Sequence, residues 1–183
     1  MGDFSQNGII SNLHDFGTKT TADIEKELVK FSKERKMELI LPSLYSELKG
    51  DALPNIVKQI GETKYLNHII VGLDKASKAE AVKAWKFFKK LNTPFSILWN
   101  DGPRLKKLHE ELKEKDLAPS EMGKGRNVWY CLGMCIARDE ARSVALHDCD
   151  IKTYDRRMLA KLFYPVVNPF FNFEFCKGYY PRI

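Results

Sequence analysis

Short apolar runs alternate along this chain with stretches in which apolar residues return every three or four positions. Ile24, Leu28 and Phe31 fall at i, i+4 and i+7 behind Thr20, whose hydroxyl can cap a helix, with Asp23 three residues on; this predicts an amphipathic helix. Met37-Glu38-Leu39-Ile40-Leu41 is a compact apolar run halted by Pro42, as in a buried strand. The pair then repeats. Asp51 to Gly61 puts Leu53, Ile56, Val57 and Ile60 on one helical face, and His68 to Asp74 is a second apolar strand. Ser77-Lys78-Ala79-Glu80 is a capping box, opening a helix expected to turn Ala81, Trp85, Phe88 and Leu91 inward. Phe95 to Trp99 reads as a third strand, closed by the turn formers Asn100-Asp101-Gly102-Pro103. Arg104 to Leu117 follows as a charged helix with Leu105, Leu108 and Leu112 inward, then a helix over 125–140 and a fourth strand over 143–147. Asp155 to Phe163 reads as a last helix, and the aromatic–polar alternation of Phe170 to Phe175 as a fifth strand.

Strands alternating with helices imply right-handed crossovers and an α/β fold with a mainly parallel central sheet. Nearly continuous apolar strands imply helices on both faces. In such sheets ligands sit at the carboxyl ends of the strands. Those ends read Pro42-Ser43-Leu44-Tyr45-Ser46-Glu47, Asp74, Asn100-Asp101 and Asp148-Cys149-Asp150.

Composition narrows the class. With 183 residues the chain holds one domain, and 44% hydrophobic with 11% aromatic residues supply a core. The net charge of +6 is spread along the chain and suits a small anionic partner without calling for nucleic acid. The four cysteines show no CxxC spacing, against a zinc ribbon or thioredoxin site; Cys131 and Cys135, four apart, read as small helix hydrophobes. Reduced thiols, no apolar run long enough for a membrane span and no signal-peptide pattern lead to the expectation of a cytoplasmic protein.

Asp148-Cys149-Asp150 carries the sharpest chemistry. Two carboxylates one residue apart after an apolar strand can both approach a divalent ion, and oxygen ligands suit Mg²⁺ or Mn²⁺. Gly123-Lys124-Gly125-Arg126-Asn127 opens a helix, where backbone amides attract phosphate and Lys124 adds a positive charge. It is neither a Walker A loop nor a GxGxxG fingerprint. His14, His68, His109 and His147 lack metal spacing; His68 and His147 read as satisfied structural histidines. Neither a nucleophile elbow nor a Cys–His pair is present.

Pro42-Ser43-Leu44, Asp74, Gly123-Lys124-Gly125 and Asp148-Cys149-Asp150, in that order, resemble the GT-A glycosyltransferases, and within them the retaining glucosyl-3-phosphoglycerate synthases and their mannosyl relatives. Lys177-Gly178-Tyr179-Tyr180 adds to the likeness. The resemblance covers about residues 37–183, which it makes a nucleotide-sugar-binding GT-A domain incomplete at its C-terminus, behind an N-terminal arm and helix over 1–36. It implies metal-dependent transfer of a hexose, with retention, from a UDP-glucose or GDP-mannose type donor to a small phosphorylated or carboxylated hydroxy acid such as 3-phosphoglycerate. It places Pro42, Ser43, Leu44 and Glu47 at the nucleotide base, Asp74 at the uridine or ribose, and Lys124 at the diphosphate or sugar. Asp148 and Asp150 hold metal and sugar, so Asp148, Asp150 and Lys124 form the expected catalytic group. Two alternatives stay open: a sugar-phosphate nucleotidyltransferase, although Leu41-Pro42-Ser43-Leu44-Tyr45 lacks the Gly-rich basic loop that class uses, and a non-catalytic nucleotide-sugar-binding or assembly module. The oligomeric state is open too, with a homodimer among the options.

Overall fold

A computed structural model describes residues 19–171 and 173–178. The expected N-terminal arm lies outside the described residues, as do Asn172 of the expected fifth strand and Tyr179 and Tyr180 of the C-terminal motif. Four parallel strands, β1 (Met37–Leu44), β2 (Leu66–Asp74), β3 (Phe95–Trp99) and β4 (Ser143–Leu146), form one sheet in the order β3-β2-β1-β4. Between and around them run α1 (Thr21–Phe31), α2 (Ala52–Gly61), α3 (Lys78–Phe88), α4 (Pro103–Lys113), α5 (Lys124–Arg138) and α6 (Arg156–Val167). The expected α/β class and parallel sheet are both present.

The period of two along a strand decides which helix each residue meets. Leu39 and Leu41 of β1 and Ile69 and Val71 of β2 join α1, α2 and α6 in the main core through Ile24, Leu28, Leu53, Ile56, Leu159 and Phe163. Ile40 and Ile70 point to the opposite face, onto Cys131 and Cys135 of α5. Both cysteines are packing residues there, and burial pushes their thiols up to about 12 and about 11. All four cysteines are free. α1 belongs to the same core as the sheet, and Lys19 ties its start to α6 by donating to the Tyr164 hydroxyl at 2.6 Å.

Three expectations need correction. Among the described residues of 170–175 there is no fifth strand: α6 ends at an asparagine turn in which the Asn168 side chain accepts from Phe170 N–H at 3.0 Å and its carbonyl from Phe171 N–H at 3.1 Å. The Phe171 ring then folds back on Tyr164, edge-on at 6.0 Å. On α3 the inward pair is Ala84 and Phe88; Trp85 is 49% exposed. Small Ala84 lets the helix settle against Leu73, and one further residue rotates the indole onto the solvent flank, where Lys89 covers it at 5.3 Å. Leu108 is likewise on the outside of α4, where Leu105 alone is buried.

His68 shows how the sheet handles a polar side chain. It faces the α5 side beside Glu38, its register partner, and its Nε2 pairs with Ser96 Oγ at 2.9 Å. Burial pushes its pKa below the ordinary 6.5, Arg138 adds to this, and Glu38 and Glu140 oppose it. A depressed folded pKa means that neutral His68 contributes stability above the unfolded value, and that this is lost as pH falls through the folded value. Urea unfolding between about pH 7.5 and pH 5 should therefore lose stability more steeply in the wild type than in His68→Gln, where no imidazole titrates. Parallel curves would place the acid sensitivity elsewhere.

Candidate active site

The register brings the strand ends to one edge. Leu44 pairs with Asp74 and Leu73 with Trp99; Asn100 N–H then donates to Leu73 O at 2.9 Å. β4 stops beside Ile40, so the chain after it, from His147 to Asp150, runs on alongside the last residues of β1. Every strand-end group singled out in the sequence therefore lies along this rim.

Beyond β1, a short 3₁₀ turn (Tyr45–Lys49) is closed by Glu47, whose carboxylate accepts from Leu44 N–H at 3.0 Å. Burial raises the Glu47 pKa, the Leu44 and Ser43 hydrogen bonds oppose this, and the nearby charges of Asp150 and Asp148 raise it further. Glu47 thus belongs to an acidic group with both aspartates. Pro42 and Ser43 are buried, Ser43 to 1% exposure, while Leu44 is half-buried.

The Asp-Cys-Asp turn alternates. Cys149 is 2% exposed and anchors the turn, leaving Asp148 half-buried and Asp150 exposed at the rim. His147 departs from expectation: it is buried, but neither ring nitrogen has a partner. Its ring meets Tyr154 edge-on at 5.3 Å, and burial pushes its pKa down to about 4.

The first turn of α5 joins these ends. Gly123, its N-cap, holds φ +135°, a region that L side chains rarely adopt, and provides no side-chain cap. Lys124 donates to Asp148 Oδ1 across the turn after β4. Arg126 reaches Asp74 at 3.6 Å, with both side chains nearly buried. Asn127 donates from Nδ2 to Gly72 O at 2.8 Å. That contact exists because residue 72 is glycine: a Cβ there would stand 1.7 Å from Asn127 Oδ1. Lys124 was legible in the sequence. Arg126 and Asn127 stood in the same pentapeptide without any sign of their partners, which lie 52 and 55 residues away in sequence at β2.

Asp74 is therefore a nearly buried carboxylate facing a guanidinium. Burial raises its pKa, Arg126 opposes this and Asp101 reinforces it. Outside this pair is a cavity of about 180 Å³ lined by Asn100, Asp101, Lys106, His109, Arg126 and Tyr130, among others. Both amide atoms of Asn100 and Nε of Arg126 are buried there without hydrogen-bond partners.

Among the described residues no group of three or more His, Cys, Asp or Glu side chains converges as a metal cage. Asp148 and Asp150 offer two carboxylates. That set fits Mg²⁺ or Mn²⁺, which take one or two carboxylates and keep their other positions for water and phosphate oxygens. It does not fit zinc, which asks for a fuller set of nitrogen and sulfur ligands.

Among the described residues no helix is long and apolar enough to cross a membrane. No protein-family model matches the chain. It is 45% identical over all 183 residues to a glucosyl-3-phosphoglycerate synthase from Persephonella marina. It is 36% identical over 175 residues to another from Methanococcoides burtonii. The chain spans 45% and 43% of the lengths of these two relatives. From end to end, the chain is thus a homologue of glucosyl-3-phosphoglycerate synthases, corresponding to slightly less than half of such a protein.

Proposed function

We propose that the chain is the donor-binding part of an NDP-sugar-dependent hexosyltransferase that passes a hexose to a small acidic hydroxylated acceptor such as 3-phosphoglycerate. The observation that carries this reading is the 45% identity to a glucosyl-3-phosphoglycerate synthase along the whole chain. The strand-end geometry supports it, because it gathers acidic, basic and amide groups where an open parallel sheet takes its ligand.

In this reading the nucleotide-sugar-binding unit spans 37–183, with α1 as a brace on its core. Pro42, Ser43, Leu44, Glu47 and Asp74 receive the nucleoside. Asp74 is held in place by Arg126, and Glu47 fixes the turn after β1 through the Leu44 amide. Asp148 and Asp150 would hold Mg²⁺ or Mn²⁺. When bound, the ion supplies positive charge against the diphosphate leaving group. Lys124 and the uncapped amides of the α5 start face the same diphosphate, and fixed positive groups of this kind contribute strongly to stabilising a departing anion. Four free cysteines suit a reducing, cytoplasmic setting.

A thermal-shift series with UDP-glucose and GDP-mannose, each with and without Mn²⁺, tests the reading. A donor at about 100 times its Kd stabilises by about 2.7 kcal/mol, a rise of roughly 5–10 °C for a chain of this size. Asp150→Ala should abolish the Mn²⁺-dependent part of the rise and leave the unliganded midpoint unchanged, because Asp150 is exposed and takes no part in packing. No rise with either donor under any condition would refute the proposal.

A further inference from the structure

The geometry points to a cation exchange at Asp148: we infer that the Lys124 ammonium is the resident counter-ion of this carboxylate, leaves it when a divalent ion arrives, and then serves the diphosphate. The inference rests on the donor-binding reading above and assigns Lys124 two successive partners within it.

Several features lead there. Lys124 donates to Asp148 Oδ1, so the ammonium covers one of the carboxylate oxygens that a metal ion would use. Both side chains are about half exposed, 57% and 46%. A pair so open to water gains little net energy and separates easily. Lys124 is also the first residue of α5, where the helix dipole disfavours a cation. With no side-chain cap at Gly123, the amides of that turn stay free for an anion. In the resting chain Asp148 offsets this mismatch; a phosphate between the ammonium and those amides offsets it for both. Finally, a single ammonium serves a turn that carries two carboxylates, Asp148 and Asp150. Replacing it with a divalent ion brings two charges to that turn in place of one.

Exchange predicts effects of opposite sign from one substitution. Lys124→Met keeps the length of the side chain and removes its charge. Isothermal calorimetry with Mn²⁺ alone should then show tighter binding than wild type, by about 1.5- to 5-fold, the worth of a surface ion pair no longer to be broken. With Mn²⁺ saturating, UDP should bind the same variant about 10- to 150-fold more weakly, since a charge-assisted hydrogen bond to the diphosphate is lost. Uridine should bind both proteins equally. Unchanged or weaker Mn²⁺ binding by Lys124→Met would overturn the exchange while leaving the metal site in place. A wild type that binds Mn²⁺ no better than the Asp148→Asn Asp150→Asn variant would overturn both the exchange and the metal site. Lost affinity for uridine as well as UDP would mean that Lys124 acts through the shape of the loop, and would also overturn the exchange.

Discussion

Arg126→Met should cost the fold about 3–5 kcal/mol, because it leaves the Asp74 carboxylate nearly buried without its cation. Lost attraction is the smaller part of this. Most of it is the uncompensated desolvation of Asp74, already the largest influence on its pKa and the one that raises it. The effect has a sign that can be checked. With Arg126 gone, the folded pKa of Asp74 moves further above its unfolded value. A carboxylate raised in the fold favours the folded state most when protonated, so the deficit of the variant should shrink as pH falls through the folded pKa toward about 4. It should also shrink at neutral pH in the Arg126→Met Asp74→Asn double variant, where no charge is left stranded. Chemical denaturation of the four proteins, wild type, both single variants and the double, measures the coupling directly. A deficit that is independent of pH and additive in the double variant would mean that Arg126 matters only for packing.

Where the sequence was legible, burial on both faces made it so. β1 and β2 are covered by α5 on one side and by α1, α2 and α6 on the other, and such strands read as unbroken apolar runs that no surface helix would show. The capping boxes at Thr20 and Ser77 were legible because capping is local, settled within four residues. The failures share the opposite property. Whether Phe170 to Phe175 becomes a strand depends on a partner edge that alternation cannot name, and the Asn168 turn takes its backbone groups first. Trp85 was expected inside because it follows Ala81 by four and precedes Phe88 by three, whereas α3 packs through Ala84 and Phe88. The rim groups were found one by one, since Asp after a strand is a local signal. What links them was hidden: Arg126 and Asn127 acquire meaning only once the crossover lays α5 across β1 and β2.

Gly72→Ala should bring the tightest clash of any glycine-to-alanine substitution among the described residues. Its Cβ would stand 1.7 Å from Asn127 Oδ1 and 2.6 Å from Cys131 Sγ. The first neighbour can give way only by surrendering its hydrogen bond to the Gly72 carbonyl; the second is fully buried against the sheet. Overpacking at roughly 1–3 kcal/mol and the lost Asn127 hydrogen bond at roughly 0.5–1.5 kcal/mol together put the loss at about 1.5–4.5 kcal/mol. The substitution should also reach the site without touching it. Asn127 is the last link of the turn that presents Lys124 to Asp148 and Arg126 to Asp74, so lifting it moves both cations off their carboxylates. UDP affinity should therefore fall in Gly72→Ala, even at temperatures where the variant is fully folded. Removing the obstructing amide separates clash from hydrogen bond. Gly72→Ala Asn127→Ala should recover part of the stability, because the closest contact is gone. It should not recover all of it, because the hydrogen bond from Asn127 to the Gly72 carbonyl stays lost and Cys131 remains. Denaturation midpoints for the two single variants and the double, read beside their UDP affinities, give the answer. A double variant no more stable than Gly72→Ala would locate the damage at Cys131 and detach this glycine from the working turn of α5.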